Sequence, residues 1–180
     1  MVATDMQELD AMAEDAKSPI RPTSDEARAL GRQLIDEARI GALGVRDPDS
    51  GAPMVSRIAM GTTADGRPVT LISDLSHHTA ALKADPVCSV LVGEPGPRGD
   101  PLTHPRITLM STAHFVARDD PGFAHLRDHY LETHPKSRLY INFTDFSFAV
   151  FDVRQAYLNG GFGKAFVLTP EDLGLRPSGP

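Results

Sequence analysis

The sequence predicts a mainly β protein with peripheral helices (α+β), its strands closed into an antiparallel barrel. Three observations carry that prediction. Apolar runs of strand length follow one another from residue 39 onward, turn-forming residues separate the early ones, and few segments have helical periodicity. Connections so short cannot hold a parallel crossover, so neighbouring strands run antiparallel. A sheet of that kind, with only a few helices, closes on itself.

Taken in order, "SPIRPTSDEARA" sets Pro22, Thr23 and Ser24 before two acids, an N-cap signal. "SDEARALGRQLIDEA" then places Ala27, Leu30, Leu34, Ile35 and Ala38 on one helical face. "RIGALGVRD", "MVSRIAMGTT" and "PVTLISD" read as strands. The turn "PDSGAP" joins the first two, and Asp65-Gly66 is a hairpin signal between the second and third. The short helix "HHTAALKAD" stops at Pro86. "VCSVLVG", apolar almost throughout, predicts a strand buried on both faces.

Beyond the loop "EPGPRGDPLTHP" comes the long alternating strand "RITLMSTAHFVAR". A helix opened by Asp120 and Pro121 follows. "SRLYINFTDFSFAVFDVRQAYLNGGFGKAFVL" returns to strands, and Gly160, Gly161 and Gly163 mark a bulge or a bend that closes the barrel. The expected organisation is a flexible N-terminal segment over 1–22, one barrel domain over 23–168 and a tail over 169–180.

The 180 residues suffice for one core, and 41% hydrophobic content is ordinary for a globular chain. A net charge of −6 and no run of Lys and Arg argue against a nucleic-acid partner. The single cysteine, Cys88, lies in an apolar run and reads as a small buried hydrophobe in a reducing compartment. No stretch is apolar enough to span a membrane, and the acidic N-terminus lacks the features of a signal peptide. A cytoplasmic location without a membrane partner is expected.

Chemistry concentrates in "LISDLSHHTAALKADP". There a strand hands over to a helix through Ser73, Ser76, His77, His78 and Thr79, where free backbone N–H groups can hold an anion. Arg57 in "VSRIAM" is a strand cation that needs an anionic partner, either a bound phosphate or a carboxylate such as Asp74. His125 and His129 share a helical face at i, i+4. Without an H-E-x-x-H pattern they read as surface histidines, and no metal site is expected. No side chain stands out as a general acid or base, so no catalytic residue is named.

The block from "VSRIAM" through "VTLISDLSHHTAALKADPVCSVLV" resembles the pyridoxamine 5′-phosphate oxidase-like, FMN-binding split-barrel proteins. "GDPLTHPRITLMSTAHFV", "HPKSRLYINFTDFSFAVFDV" and "LNGGFGKAF" narrow the resemblance to the branch that includes haem-utilisation proteins. It covers about residues 24 to 168. The resemblance implies an antiparallel split β-barrel of the FMN-binding type and a homodimer with a small-molecule ligand in its interface groove. It implies FMN as cofactor or, alternatively, haem.

By position, the resemblance makes Arg57 the phosphate-gripping arginine and lays Ile58, Ala59 and Met60 along the isoalloxazine. Ser73 and Asp74 end the strand beside the flavin, and His77, His78 and Thr79 stand where oxidase members carry Ser-Arg-Lys. Two phosphate-facing cations are thereby lost. At about 1.5–3 kcal/mol per charge-assisted hydrogen bond, that weakens FMN binding by orders of magnitude. Lys83, one turn further on, compensates in part. The chain has no tryptophan, which true oxidases carry near the C-terminus, so pyridoxamine phosphate oxidation is not expected. Haem-handling relatives hold iron through a histidine in an additional C-terminal domain, whereas this sequence ends at Pro180. Two functions follow as expectations: a flavin-dependent oxidoreductase acting on a small substrate, or a non-enzymatic haem- or partner-binding module on the same fold.

Overall fold

The computed structural model describes residues 20–176. Helix α1 (Asp25–Glu37) leads into strands β1 (Ile40–Arg46), β2 (Pro53–Ala59), β3 (Gly61–Thr62) and β4 (Pro68–Ser73). Helix α2 (His77–Ala84), β5 (Val87–Val92), β6 (Arg106–Val116), α3 (Phe123–Thr133), β7 (Phe146–Asn159) and β8 (Ala165–Leu168) complete it. The strands form one antiparallel sheet in the order β2-β1-β5-β6-β7-β4-β3, with β8 added on β7. The sheet curls so that β2, at one end of that order, lies against β4 near the other. This is the split, antiparallel barrel that the sequence predicts.

Local signals account for the helix ends. Ser24 Oγ accepts from the Ala27 amide at 3.3 Å, and the predicted face of α1 packs inward, with Ala27 and Ile35 buried. Helix α3 begins later than expected, at Phe123, because Asp120 Oδ1 instead takes the Gly122 amide at 2.8 Å in a preceding turn. Pro135–Leu139 is a 3₁₀ turn, so the last strands start only at Phe146.

Two features differ from the sequence reading. The Asp65-Gly66 turn does close a hairpin, but of β3 and β4, with Gly61 opposite Val69 and Thr62 opposite Pro68. Strand β2 pairs with β1 along its whole length, from Ile40 opposite Ala59 to Arg46 opposite Pro53. The break lies at Met60, buried, whose amide donates to the Arg39 carbonyl at 2.9 Å and turns the chain out of one ladder toward the other. Strands β2 and β4 therefore meet across the split and not across a ladder.

Strand β5 is the second difference. It is buried on one face only, and Val87 and Leu91 are 61% and 40% exposed, because no helix covers the outer side of β1, β5 and β6. Successive strand residues point to opposite faces. Leu43, Val90, Leu109 and Phe151 thus fill the barrel, while Ala42, Leu91, Thr108 and Tyr157 form a row on its outside.

The barrel interior and α1 make one core. A second lies under α3, where Phe148 packs edge-on to Tyr130 at 5.3 Å. The packed region is wider than residues 23–168. Ile20 bridges to Ala165, Arg28 pairs with Asp172 at 2.7 Å, and Leu173 and Leu175 are buried. Among the described residues no helix is long and apolar enough to cross a membrane.

Candidate functional site

The strand-to-helix turn is closed upon itself. Ser73 Oγ donates to Asp145 Oδ2 at 2.6 Å and accepts from the Leu75 amide, while the Asp74 amide donates to the Asp145 carbonyl at 2.7 Å. Asp74 Oδ1 holds Lys83 Nζ at 2.8 Å, and that ammonium also lies 5.6 Å from the Phe115 ring centre. Thr79 is 0% exposed and donates its hydroxyl to the Ser73 carbonyl at 2.7 Å. Every group that the sequence offered to a phosphate here, apart from Ser76 and His77, already has a partner inside the protein or is engaged as described next.

His78 points into the barrel wall. Its Nδ1 lies 3.0 Å from Ser56 Oγ on β2, and its Nε2 is buried without a hydrogen-bond partner. Burial lowers the pKa of this imidazole below its ordinary value, so at neutral pH it is uncharged. His77 is exposed, and Ser76 caps α2 by position without a side-chain hydrogen bond. The turn at 76–79 therefore presents no fixed cation to a flavin phosphate. The physical reason is the replacement of two long basic side chains by a buried hydroxyl and a desolvated imidazole.

Arg57 stands apart. Strand alternation sends Ser56, Ile58 and Met54 toward the interior and Arg57, Val55 and Ala59 outward. Ile58 and Met60 are core residues, and only half-buried Ala59 shares the Arg57 face. The guanidinium is exposed and has no hydrogen bond or ion pair among the described residues. It borders an open groove of about 350 Å³ whose walls include Ile40, Ala42, Val55 and Leu91, with Glu94 and Pro95 on the rim. A free guanidinium over an apolar floor suits a flat, largely apolar ligand with an acidic edge.

Sequence reasoning found Arg57 but missed the walls. Ala42, Val55 and Leu91 come from three strands; the register sets Arg57, Ala42 and Leu91 in one row, with Val55 on the same face two residues back along β2. The remaining candidates lie elsewhere. Cys88 is buried, and desolvation pushes its thiol pKa up to about 12, so it is inert. His125 and His129 face a separate cleft beside the Asp65 turn, and no group of metal-ligating side chains exists among the described residues. Gly161 and Gly163 take φ of +113° and +66° in the turn between β7 and β8, which leaves Phe162 at its tip 96% exposed.

Comparison with known proteins supplies context. Residues 22–173 match the family model described as CREG, beta-barrel. The "non-canonical heme oxygenase HOZ, chloroplastic" of Arabidopsis thaliana is 36% identical over 118 residues, 65% of this chain and 35% of the plant protein. This chain thus spans about a third of that relative. The solved structure of a heme binding protein from Mycobacterium smegmatis is 28% identical with a TM-score of 0.73, covering 86% of this chain and 61% of that one. A Clostridium acetobutylicum protein related to general stress protein 26, of the pyridoxinephosphate oxidase family, shares the fold at 13% identity and a TM-score of 0.61. The match covers 84% of this chain and 99% of the other.

Proposed function

The chain belongs to the CREG β-barrel family and has the split-barrel fold of the pyridoxine phosphate oxidase-like proteins, and from that premise we propose that it binds haem on the outer face of its sheet. One observation carries the reading: Arg57, unpartnered among the described residues, borders a groove floored by Ala42, Val55 and Leu91. The apolar walls match the macrocycle and the guanidinium matches a propionate. Two relatives named for haem, the plant oxygenase and the mycobacterial binding protein, support the same ligand class. Haem supplies redox chemistry when it is bound. The chain's own residues hold the ring edge and exclude water from one side.

The outer face also has an occupant in this reading, a second copy of the chain. Val55, Val87, Leu91, Met110 and Tyr157 are all exposed there, side by side on one face of the sheet, and clustered exposed apolar side chains of this kind mark interaction surfaces. An apolar strand such as β5 suits burial on both sides once a partner covers it. The homodimer then encloses the groove.

A flavin-dependent oxidoreductase is the competing reading, since FMN would use the same Arg57. It lacks a second cation in the turn at 76–79, for the reasons given above. Absorbance titration of the purified protein with haemin, and separately with FMN, decides between them. A shifted Soret band that Arg57→Ala weakens supports haem. Flavin uptake at micromolar affinity with no Soret shift overturns it.

A further inference from the structure

Two turns at one end of the sheet hold large apolar side chains out in water. Phe162, at the tip of the turn between β7 and β8, is 96% exposed. Leu102, on the 3₁₀ turn Pro101–Thr103, is 73% exposed. The two turns abut, since a Cβ on Gly161 would lie 3.2 Å from the Thr103 carbonyl oxygen. Both are fixed at their bases. The Gly160 amide donates to the Lys164 carbonyl at 2.7 Å, and the Lys164 amide donates to the Gly161 carbonyl at 3.1 Å. Asp100 Oδ1 accepts from the Leu102 amide at 2.9 Å, and Arg106 Nη1 donates to the Leu102 carbonyl at 2.9 Å.

Cations gather around this pair. Lys164 follows the first tip, and Arg21 Nη2 lies 3.6 Å from where a Cβ on Gly163 would stand. Arg98 and Arg106 bracket Leu102 in sequence. None of the four has a carboxylate partner among the described residues. Glu94 and Asp100 are the acids of the same loop, and Asp100 is engaged by the Leu102 amide. The chain as a whole carries a charge of −6, so this end departs in sign from the rest.

We propose that this end of the barrel docks on an anionic lipid bilayer. Phe162 and Leu102 enter the headgroup boundary, and Arg21, Arg98 and Lys164 meet lipid phosphates and carboxylates. Such binding needs apolar side chains to bury and cations beside them, and no membrane-spanning segment. A protein partner would have to offer a shaped pocket to each protruding side chain, whereas the fluid boundary admits both without shape complementarity. The sequence reading expects no membrane partner because Leu102 and Phe162 stand sixty residues apart and become neighbours only in the fold. Gly93 packs on the backbone of Pro105 and Arg106, so the rim of the Arg57 groove lies at the same end of the sheet as the two tips. Docking therefore brings that rim toward the bilayer, although the docking itself does not rest on the haem reading.

Flotation of the full chain with vesicles tests this. Phosphatidylcholine vesicles containing about one-third phosphatidylserine are compared with pure phosphatidylcholine, at low and at high salt. The wild type is expected to float with the anionic vesicles at low salt and to be released as salt rises, against the repulsion that a net charge of −6 imposes. Phe162→Ser and Leu102→Ser should each weaken binding by about fivefold or more. Lys164→Gln should weaken it by about fivefold. Leu139→Ser is the control, because that side chain is 80% exposed beside Arg138 but precedes β7, and it should bind as the wild type does. A wild type that stays with neither vesicle would overturn the proposal and leave the two tips to a protein partner. Equal flotation with both vesicles, or an equal loss in Leu139→Ser, would reduce the binding to non-specific adhesion and overturn it as well.

Discussion

Thr79 Oγ1 donates to the Ser73 carbonyl at 2.7 Å, from a side chain that is 0% exposed. A residue in the position that the sequence assigned to phosphate binding thus fastens α2 to the end of β4. Thr79→Val keeps the shape and removes one of the two donors to that carbonyl, leaving the Ser76 amide at 3.1 Å. The expected cost is about 1–2 kcal/mol of stability, read from the denaturant midpoint. Haemin uptake should stay within about twofold of wild type. A large loss of uptake without loss of stability would return Thr79 to the binding site.

Two half-buried imidazoles make the fold sensitive to acid below neutral pH. His78 and His134 each have a pKa lowered chiefly by burial, and each leaves a buried Nε2 without a hydrogen bond. In the unfolded chain both titrate near about 6.5. Above that pH they are neutral in both states and cost nothing. As the pH falls below it, the unfolded chain gains protons that the folded chain resists until its own lower pKa, so stability falls with pH through that window. Urea denaturation should give a lower midpoint at pH 5 than at pH 7.5. His78→Gln should flatten that dependence, and an unchanged slope would show that His78 is not one of the groups responsible.

Gly93 closes the groove where β5 ends. Its φ is +102°, and a Cβ there would lie 2.6 Å from the Pro105 carbonyl oxygen and 2.7 Å from the Arg106 Cα. Both obstacles are backbone and cannot swing aside. Gly93→Ala is expected to cost more than about 2 kcal/mol and to displace the Glu94–Pro95 rim. Gly51→Ala makes the control, since φ is +71° there with nothing within 4 Å of the added methyl. Only the backbone strain of about 1–2 kcal/mol applies at that position. Similar thermal midpoints for the two variants would contradict the close approach at Gly93.

Much of this fold was legible because its signals are local. Ser24 caps α1, Asp65-Gly66 makes a tight turn and Pro86 stops α2, each within a few residues of its effect. What escaped is non-local. Nothing in "VSRIAMGTT" says that Met60 turns the chain away from β4, because the β1 ladder that holds β2 is set by Leu43 and Val45 filling the barrel. Arg57 was visible as a misplaced cation, whereas the groove beside it was not. That groove depends on Leu91, Gly93 and Glu94, more than thirty residues from Arg57 in sequence. The run "VCSVLV" reads as buried on both faces, and the single chain buries one.

That last mismatch is a prediction about assembly. Met110 opposes Ser89 on the outer face, 38% exposed, and Val87 beside it is 61% exposed. Neither residue lines the Arg57 groove. Met110→Glu places a carboxylate on that face, where water hydrates it fully in a monomer and a second copy would bury it unpaired. Sedimentation velocity should therefore show the wild type as a dimer and the variant as a monomer, with the unfolding midpoint of the isolated barrel little changed. Haemin affinity should fall with dissociation, because one wall of the enclosed groove is lost while Arg57 remains. A wild type that sediments as a monomer would leave the outer face open and remove the second copy from the binding site. A variant that remains dimeric would place the interface elsewhere on the barrel.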